Sequence, residues 1–261
     1  MRAKPSHGPW LWPLLLVIIG LILLLDNFLL LGDFDATLLW PLLLVLAGSA
    51  VLLRGDIIPS SAGQTFGITR GSVESATLEA NAGDVDVSIR PLQREGRLIA
   101  GQFAAQSRPQ LRVEDTHTHL RMNRSATPWY AFVNWDVGLA RDLPWQVLVS
   151  TSIGQVNADL SSIITQDVVI ATGFGDVRCV CPYEAFTPIT LHSALGNIQV
   201  ITPHGHAVRI IAPSTRFFKV HADTNRYEEM EEGVFVAYDA DPDAPLVEVL
   251  VSGTFGDAYL A

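Results

Sequence analysis

Cysteine is nearly absent, with two residues in a chain of 261. Two thiols supply no disulfide framework. Positive charge is also scarce: 17 Lys and Arg stand against 27 Asp and Glu, for a net charge of -10. A phosphate backbone needs a basic face to release counterions. No Lys/Arg cluster, zinc-finger spacing or RNP-type aromatic stretch provides one, so no nucleic-acid partner is expected. No GxSxG, HExxH or P-loop motif occurs, which leaves no case for an enzyme and none for a cofactor. The length suits one large or two modest domains.

What the first fifty positions lack is polarity. From Trp10 to Leu25 every residue is apolar, Pro or Gly, and Phe28 to Leu31 continues the run past Asp26 and Asn27. Leu38 to Leu53 holds only Ser49 as a polar residue. The hexapeptide "WPLLLV" opens at Trp12 and again at Trp40, and Gly20 and Gly48 follow at the same remove. Proline suits the first helical turn because its missing N–H would be unpaired there anyway. Tryptophan favours the headgroup layer. A small residue two turns in lets neighbouring helices approach closely.

Trp12-Pro13 with Gly20, and Trp40-Pro41 with Gly48, therefore predict a two-helix transmembrane hairpin over 1–54, with helices at about 9–31 and 36–54. The second span is short, and needs Ala36–Thr37 or a snorkelling Arg54 to reach both interfaces. A cleaved signal peptide fits less well, because Asp26-Asn27-Phe28 follows the apolar core and the small "AGSA" of Ala47–Ala50 lies inside the second run. Arg2, Lys4 and Arg54 flank the hairpin, and only Asp33 and Asp35 lie between its arms. Positive-inside logic then predicts a multi-pass protein of the cell membrane, with the C-terminal region in the cytoplasm.

Residues 55–73 read as a linker, and 74–261 as a β-repeat domain with an irregular insert at 92–144. "SIGQVNADL", "GFGDVRCVC" and "ALGNIQVIT" place Gly154, Gly175 and Gly196 at a constant step of 21 residues (175 − 154 and 196 − 175). Looser copies surround Gly83 and Gly256. A fixed period near 20 residues marks units that bury their faces only against neighbours. Val147, Val149 and Ile153 align with Val168, Ile170 and Phe174, then with Ile189, Leu191 and Leu195. After the glycine, Val156, Ala158 and Leu160 align with Val177, Cys179 and Cys181, then with Ile198, Val200 and Thr202. Alternation at period two predicts half-buried strands with these residues inward, and a tight bend at each glycine. The expected fold is all-β, a stack that closes as a solenoid or as a sandwich.

Most chemical candidates have a plainer reading. Cys179 and Cys181 occupy inward positions that neighbouring units fill with Ala158, Leu160, Val200 and Thr202, so they read as core rather than as metal ligands. His117 and His119, like His204 and His206, share a strand face by spacing. Apart from Glu114 and Asp115 near the first pair, no further ligand stands beside them. Asp84, Asp176 and Asp257 follow turn glycines and read as turn residues. The acidic "YEEMEE" within the irregular 217–238 reads as a solvated loop. No metal site is expected.

The duplicated "WPLLLV…G" hairpin resembles the transmembrane unit that opens LiaF-like proteins of bacterial envelope-stress systems. Trp135–Pro182 resembles the "toast-rack" β-domain, matching its pattern at Trp135, Leu139, Pro144, Gly154, Leu160-Ser161, Gly175 and Pro182. The resemblance implies a stacked, solenoid-like β-domain on a membrane anchor. It also implies a non-catalytic regulator that binds a protein partner, a sensor histidine kinase among the candidates. The insert before Trp135 departs from that pattern. An extracytoplasmic structural or adhesin-like module is the alternative, a metal-dependent enzyme using one histidine pair is a third reading, and homo-oligomerisation stays open.

Overall fold

The computed structural model describes residues 64–103, 109–124 and 134–261. The chain divides into two units, 1–57 and 58–261, and every described residue belongs to the second. The expected hairpin, with Trp12, Pro13, Gly20, Trp40, Pro41 and Gly48, lies outside the described residues. Among those described there is no helix, hence none long and apolar enough to cross a membrane.

The described chain is all β. In order its strands are β1 (Gln64–Thr69), β2 (Ser75–Gly83), β3 (Val87–Pro91), β4 (Arg97–Phe103), β5 (Gln110–Glu114) and β6 (His117–Asn123). Next come β7 (Trp135–Leu139), β8 (Pro144–Ile153), β9 (Val156–Asp159), β10 (Ile164–Phe174), β11 (Val177–Val180) and β12 (Ile189–Leu195). The last are β13 (Ile198–Ile201), β14 (Val208–Ile211), β15 (Phe218–Ala222), β16 (Tyr227–Glu231), β17 (Val234–Ala237) and β18 (Val247–Leu260).

Pairing arranges them in two sheets. The first runs β5-β6-β2-β8-β10-β12-β18-β14-β17-β16. The second runs β1-β4-β7-β3-β9-β11-β13-β18-β15. Each rung therefore has one limb in each sheet. Rungs stack in parallel as β6/β7, β2/β3, β8/β9, β10/β11, β12/β13, β18 and β14/β15, and β18 crosses both sheets unbroken. Antiparallel strands cap three of the four sheet ends: β5 on β6 and β4 on β7 at one end of the stack, β17 and β16 beyond β14 at the other, where β15 remains the edge of the second sheet. Such caps occupy edges that would otherwise template foreign strands.

Register follows the apolar pattern. Val147 pairs with Val168, Val168 with Ile189, and Ile189 with Val249. A slip by one residue would turn this whole column outward, and burying each Val or Ile is worth about 1.5–3 kcal/mol. The facing column in the second sheet is Val137-Ile89-Ala158-Cys179-Val200-Leu260, and all six are buried. Trp135 and Trp145 are among the largest fully buried side chains of the core, and the Trp145 indole N–H donates to the Ala140 carbonyl at 2.9 Å.

Three expectations are corrected. The linker 55–73 contains β1, antiparallel to β4; with only Phe66 and Ile68 as its apolar alternation, it is too short for a periodic signal. The insert 92–144 is not irregular throughout, because β6 and β7 are a full rung parallel to β2 and β3. That rung lacks a glycine bend, since eleven positions separate Asn123 from Trp135 (135 − 123 − 1), so a period counted on glycines misses it. "YEEME" is an exposed edge strand rather than a loop. Its glutamates suit an unpaired edge, where charge discourages edge-to-edge association.

Candidate functional site

The bend between the two limbs is where the repeats are most alike. A Cβ on Gly154 would stand 2.7 Å from the Val85 carbonyl oxygen. One on Gly175 would stand 2.0 Å from that of Gly154, on Gly196 2.1 Å from that of Gly175, and on Gly256 2.1 Å from that of Gly196. No side chain fits such a column. Each glycine N–H donates one rung along the stack: Gly154 to Phe174, Gly175 to Leu195, Gly196 to Phe255 and Gly256 to Phe217, at 2.8–3.1 Å.

Polar side chains close the bend from both sides. Inside, the Thr151 and Thr172 hydroxyls donate to the carbonyls of Gly154 and Gly175, and Ser193 donates to Gly175 as well. Outside, Asp86 accepts from the Gln155 N–H, Asp176 from the Asn197 N–H and Asn197 from the Asp257 N–H, at 2.7–3.0 Å. Asp84 instead lies 3.7 Å from Arg124. Gly83 is displaced from the column. It pairs with Thr151, and the position stacked on Gly154 belongs to Val85. Aligning the copies on their glycines put that copy out of register by two.

The bend has a second consequence. Ile153, Phe174 and Leu195, expected inward by alternation, are 58%, 57% and 46% exposed, and Phe255 and Phe217 beyond them are 45% and 56% exposed. The strand reaches the rim of the sandwich at this point, so the next inward position has no opposite sheet to face. Thr151 and Thr172 are the last buried positions on their limbs. The exposed residues pair rung to rung, and the Phe217 and Phe255 ring centroids lie 5.1 Å apart. They form a continuous apolar ladder along one rim. The signal was present in the sequence, as a large apolar residue before each glycine, but period two assigned it to the wrong side.

The other candidates disperse. Cys179 and Cys181 are fully buried; burial pushes the Cys179 thiol well up, and the Cys181 thiol up to about 12. His117 bridges Ser75 and Thr77 at 2.8 and 3.0 Å. His119 lies 3.2 Å from Glu79, whose carboxyl is held below its ordinary range chiefly by hydrogen bonds from Arg121. His204 pairs with Asp239, and His206 stands edge-on to Tyr183. Among the described residues no three His, Cys, Asp or Glu side chains gather to hold a metal ion. A shallow, open depression on the outer face of the first sheet lies between Gln146, Asp167, Thr187 and Leu250.

No protein-family model matches the sequence, and no curated protein matches it either. Among solved structures the chain is similar to a protein of Clostridium sporogenes described as a candidate cell adhesion protein. The identity is 17%, the TM-score 0.63, and the match covers 76% of this chain and 97% of that one. The likeness establishes the fold: an all-β, many-stranded architecture shared with that protein. A candidate adhesin of Bacteroides fragilis aligns over 78% of this chain and 99% of its own, at 8% identity and a TM-score of 0.24.

Proposed function

We propose that this chain is a non-catalytic, membrane-anchored scaffold whose β-stack binds another protein. The observation that carries the reading is the stack itself. Seven in-register rungs make a rigid surface about 29 Å long, from six steps of about 4.8 Å. Along it, side chains repeat in columns, as in other stacked proteins that present extended binding faces. The apolar sequence before residue 55 supplies the anchor. The likeness to LiaF-like proteins makes an envelope-stress regulator the finer form of the proposal, with a sensor histidine kinase as partner and the β-stack in the cytoplasm.

One observation favours a second form. The Clostridium sporogenes protein with the same fold is named for cell adhesion, which suits an extracytoplasmic module. The two forms differ in sidedness. Cys179 and Cys181 are sealed in the core, so a cysteine introduced at exposed Lys219 reports alone. In intact cells, a membrane-impermeant maleimide that leaves Lys219→Cys unlabelled supports the cytoplasmic form, and rapid labelling supports the adhesin-like one. Crosslinking in the native membrane tests the shared claim: recovery of no protein partner would sink both.

A further inference from the structure

The ladder Ile153-Phe174-Leu195-Phe255-Phe217 is the largest ordered apolar feature on the described surface that the proposed role leaves unused. Five large side chains, each about half exposed, present on the order of 500 Å² in one strip. A contiguous patch of that size marks an interaction site. Two such strips face to face would remove about 1,000 Å² from water, the threshold of a specific protein interface.

The ends of the ladder identify the occupant. At the β15 end the Arg216 guanidinium sits over the Phe217 ring, 5.4 Å from its centroid, and Arg216 is exposed. At the other end the rung beyond Ile153 carries the carboxylates Asp84 and Asp86 at the bend; the Asp84 side chain is 47% exposed and lies 3.7 Å from the buried Arg124 guanidinium. One tip is therefore cationic, and the other, with two carboxylates against one guanidinium, keeps a net negative charge. An apolar strip with opposite charges at its tips is complementary to its own reversed copy. In an isologous two-fold pair the same patch serves both partners. The flanking Asp86, Asp176 and Asn197 side chains are engaged along the stack by backbone N–H groups, which limits their reach across such an interface.

We infer that this ladder is a homodimer interface, in which two copies of the chain pack antiparallel with Leu195 near the two-fold axis and Arg216 of each copy beside Asp84 of the other. The inference does not rest on the scaffold reading; a monomeric chain would overturn it and leave that reading standing.

Cysteine crosslinking of the full chain in its membrane or in nanodiscs tests both the pairing and its direction, against a silent background because the native thiols are buried. A disulfide needs Cα atoms within about 7 Å, and Ile153 and Phe217 are four rungs, roughly 19 Å, apart along the strip. Leu195→Cys should crosslink to itself. Ile153→Cys and Phe217→Cys should each fail alone and crosslink when the two are mixed. Self-crosslinking at Ile153 and Phe217 without the mixed product would overturn the antiparallel arrangement. No crosslink at any of the three, or protection of the strip by lipid instead, would overturn the interface.

A charge arm needs no cysteine. Arg216→Glu should weaken self-association at least tenfold, with unchanged circular dichroism. Self-association unchanged in this variant would count against the pairing.

Discussion

At the scale of single residues, the glycine column sets the tightest constraint. Gly175 lies between Gly154 and Gly196 with its Cβ direction aimed at a carbonyl oxygen 2.0 Å away. Backbone on both sides leaves nothing flexible to give way. Gly175→Ala should cost about 3 kcal/mol, the upper range for overpacking, read as a fall in the urea midpoint with an unchanged slope. Gly96→Ala is the control. Its φ of +78° disfavours a side chain, but no atom lies within 4 Å of the new methyl, so the cost should stay at about 1 kcal/mol. If the two variants lose stability equally, close stacking is not what selects glycine at the bend.

At the scale of strands, the pairs that tie rungs together on the outer face should register in acid. Arg121 on β6 donates two hydrogen bonds of 2.9 Å to Glu79 on β2, and His119 stands beside them. The Glu79 carboxyl titrates below its ordinary value. Its contribution to stability is therefore complete above the unfolded-state value of about 4.3 and is lost as pH falls through the lower folded-state value. Between pH 7 and pH 3 the wild-type chain should lose more stability than Glu79→Gln, and parallel curves would assign no linkage to this pair.

The strands also show how far the sequence could be read. Register among β8, β10 and β12 was legible because Val147, Val168 and Ile189 recur at one step with one face buried. Sidedness at the rim was not, since alternation cannot tell where the opposing sheet ends, and Ile153, Phe174 and Leu195 went to the wrong side. The β6/β7 rung was hidden for a related reason. Its partners Ser75–Asn81 and Val87–Pro91 are distant in sequence, and no local period reports a distant parallel pairing. The role of Asp176 in the bend was readable from its place after a glycine, whereas Asp86 was missed because Gly83 drew the alignment two residues away.

At the scale of the whole molecule, chain order and stacking order differ at both ends. β2/β3 precedes β6/β7 in the chain but lies inside it. β18 follows β14/β15 and lies inside that rung as well. Deleting 247–261 should therefore abolish cooperative unfolding of the C-terminal half, because the cut removes an interior rung rather than an edge. Loss of β-sheet circular dichroism and rapid proteolysis after Leu195 are the expected readouts. A truncated chain that melts as sharply as the parent would refute this order.

The crossing strand also bears on how the protein is made. During synthesis β14 to β17 emerge before residues 247–260, so the slot between β12/β13 and β14/β15 stands open until the closing segment arrives. Until then the nascent domain exposes an open slot in each sheet, edged by β12 and β14 in the first and by β13 and β15 in the second, and any extended peptide nearby competes for it. A single insertion ends that exposure in both sheets together, which makes completion of this domain an all-or-none event set by the arrival of residues 247–260.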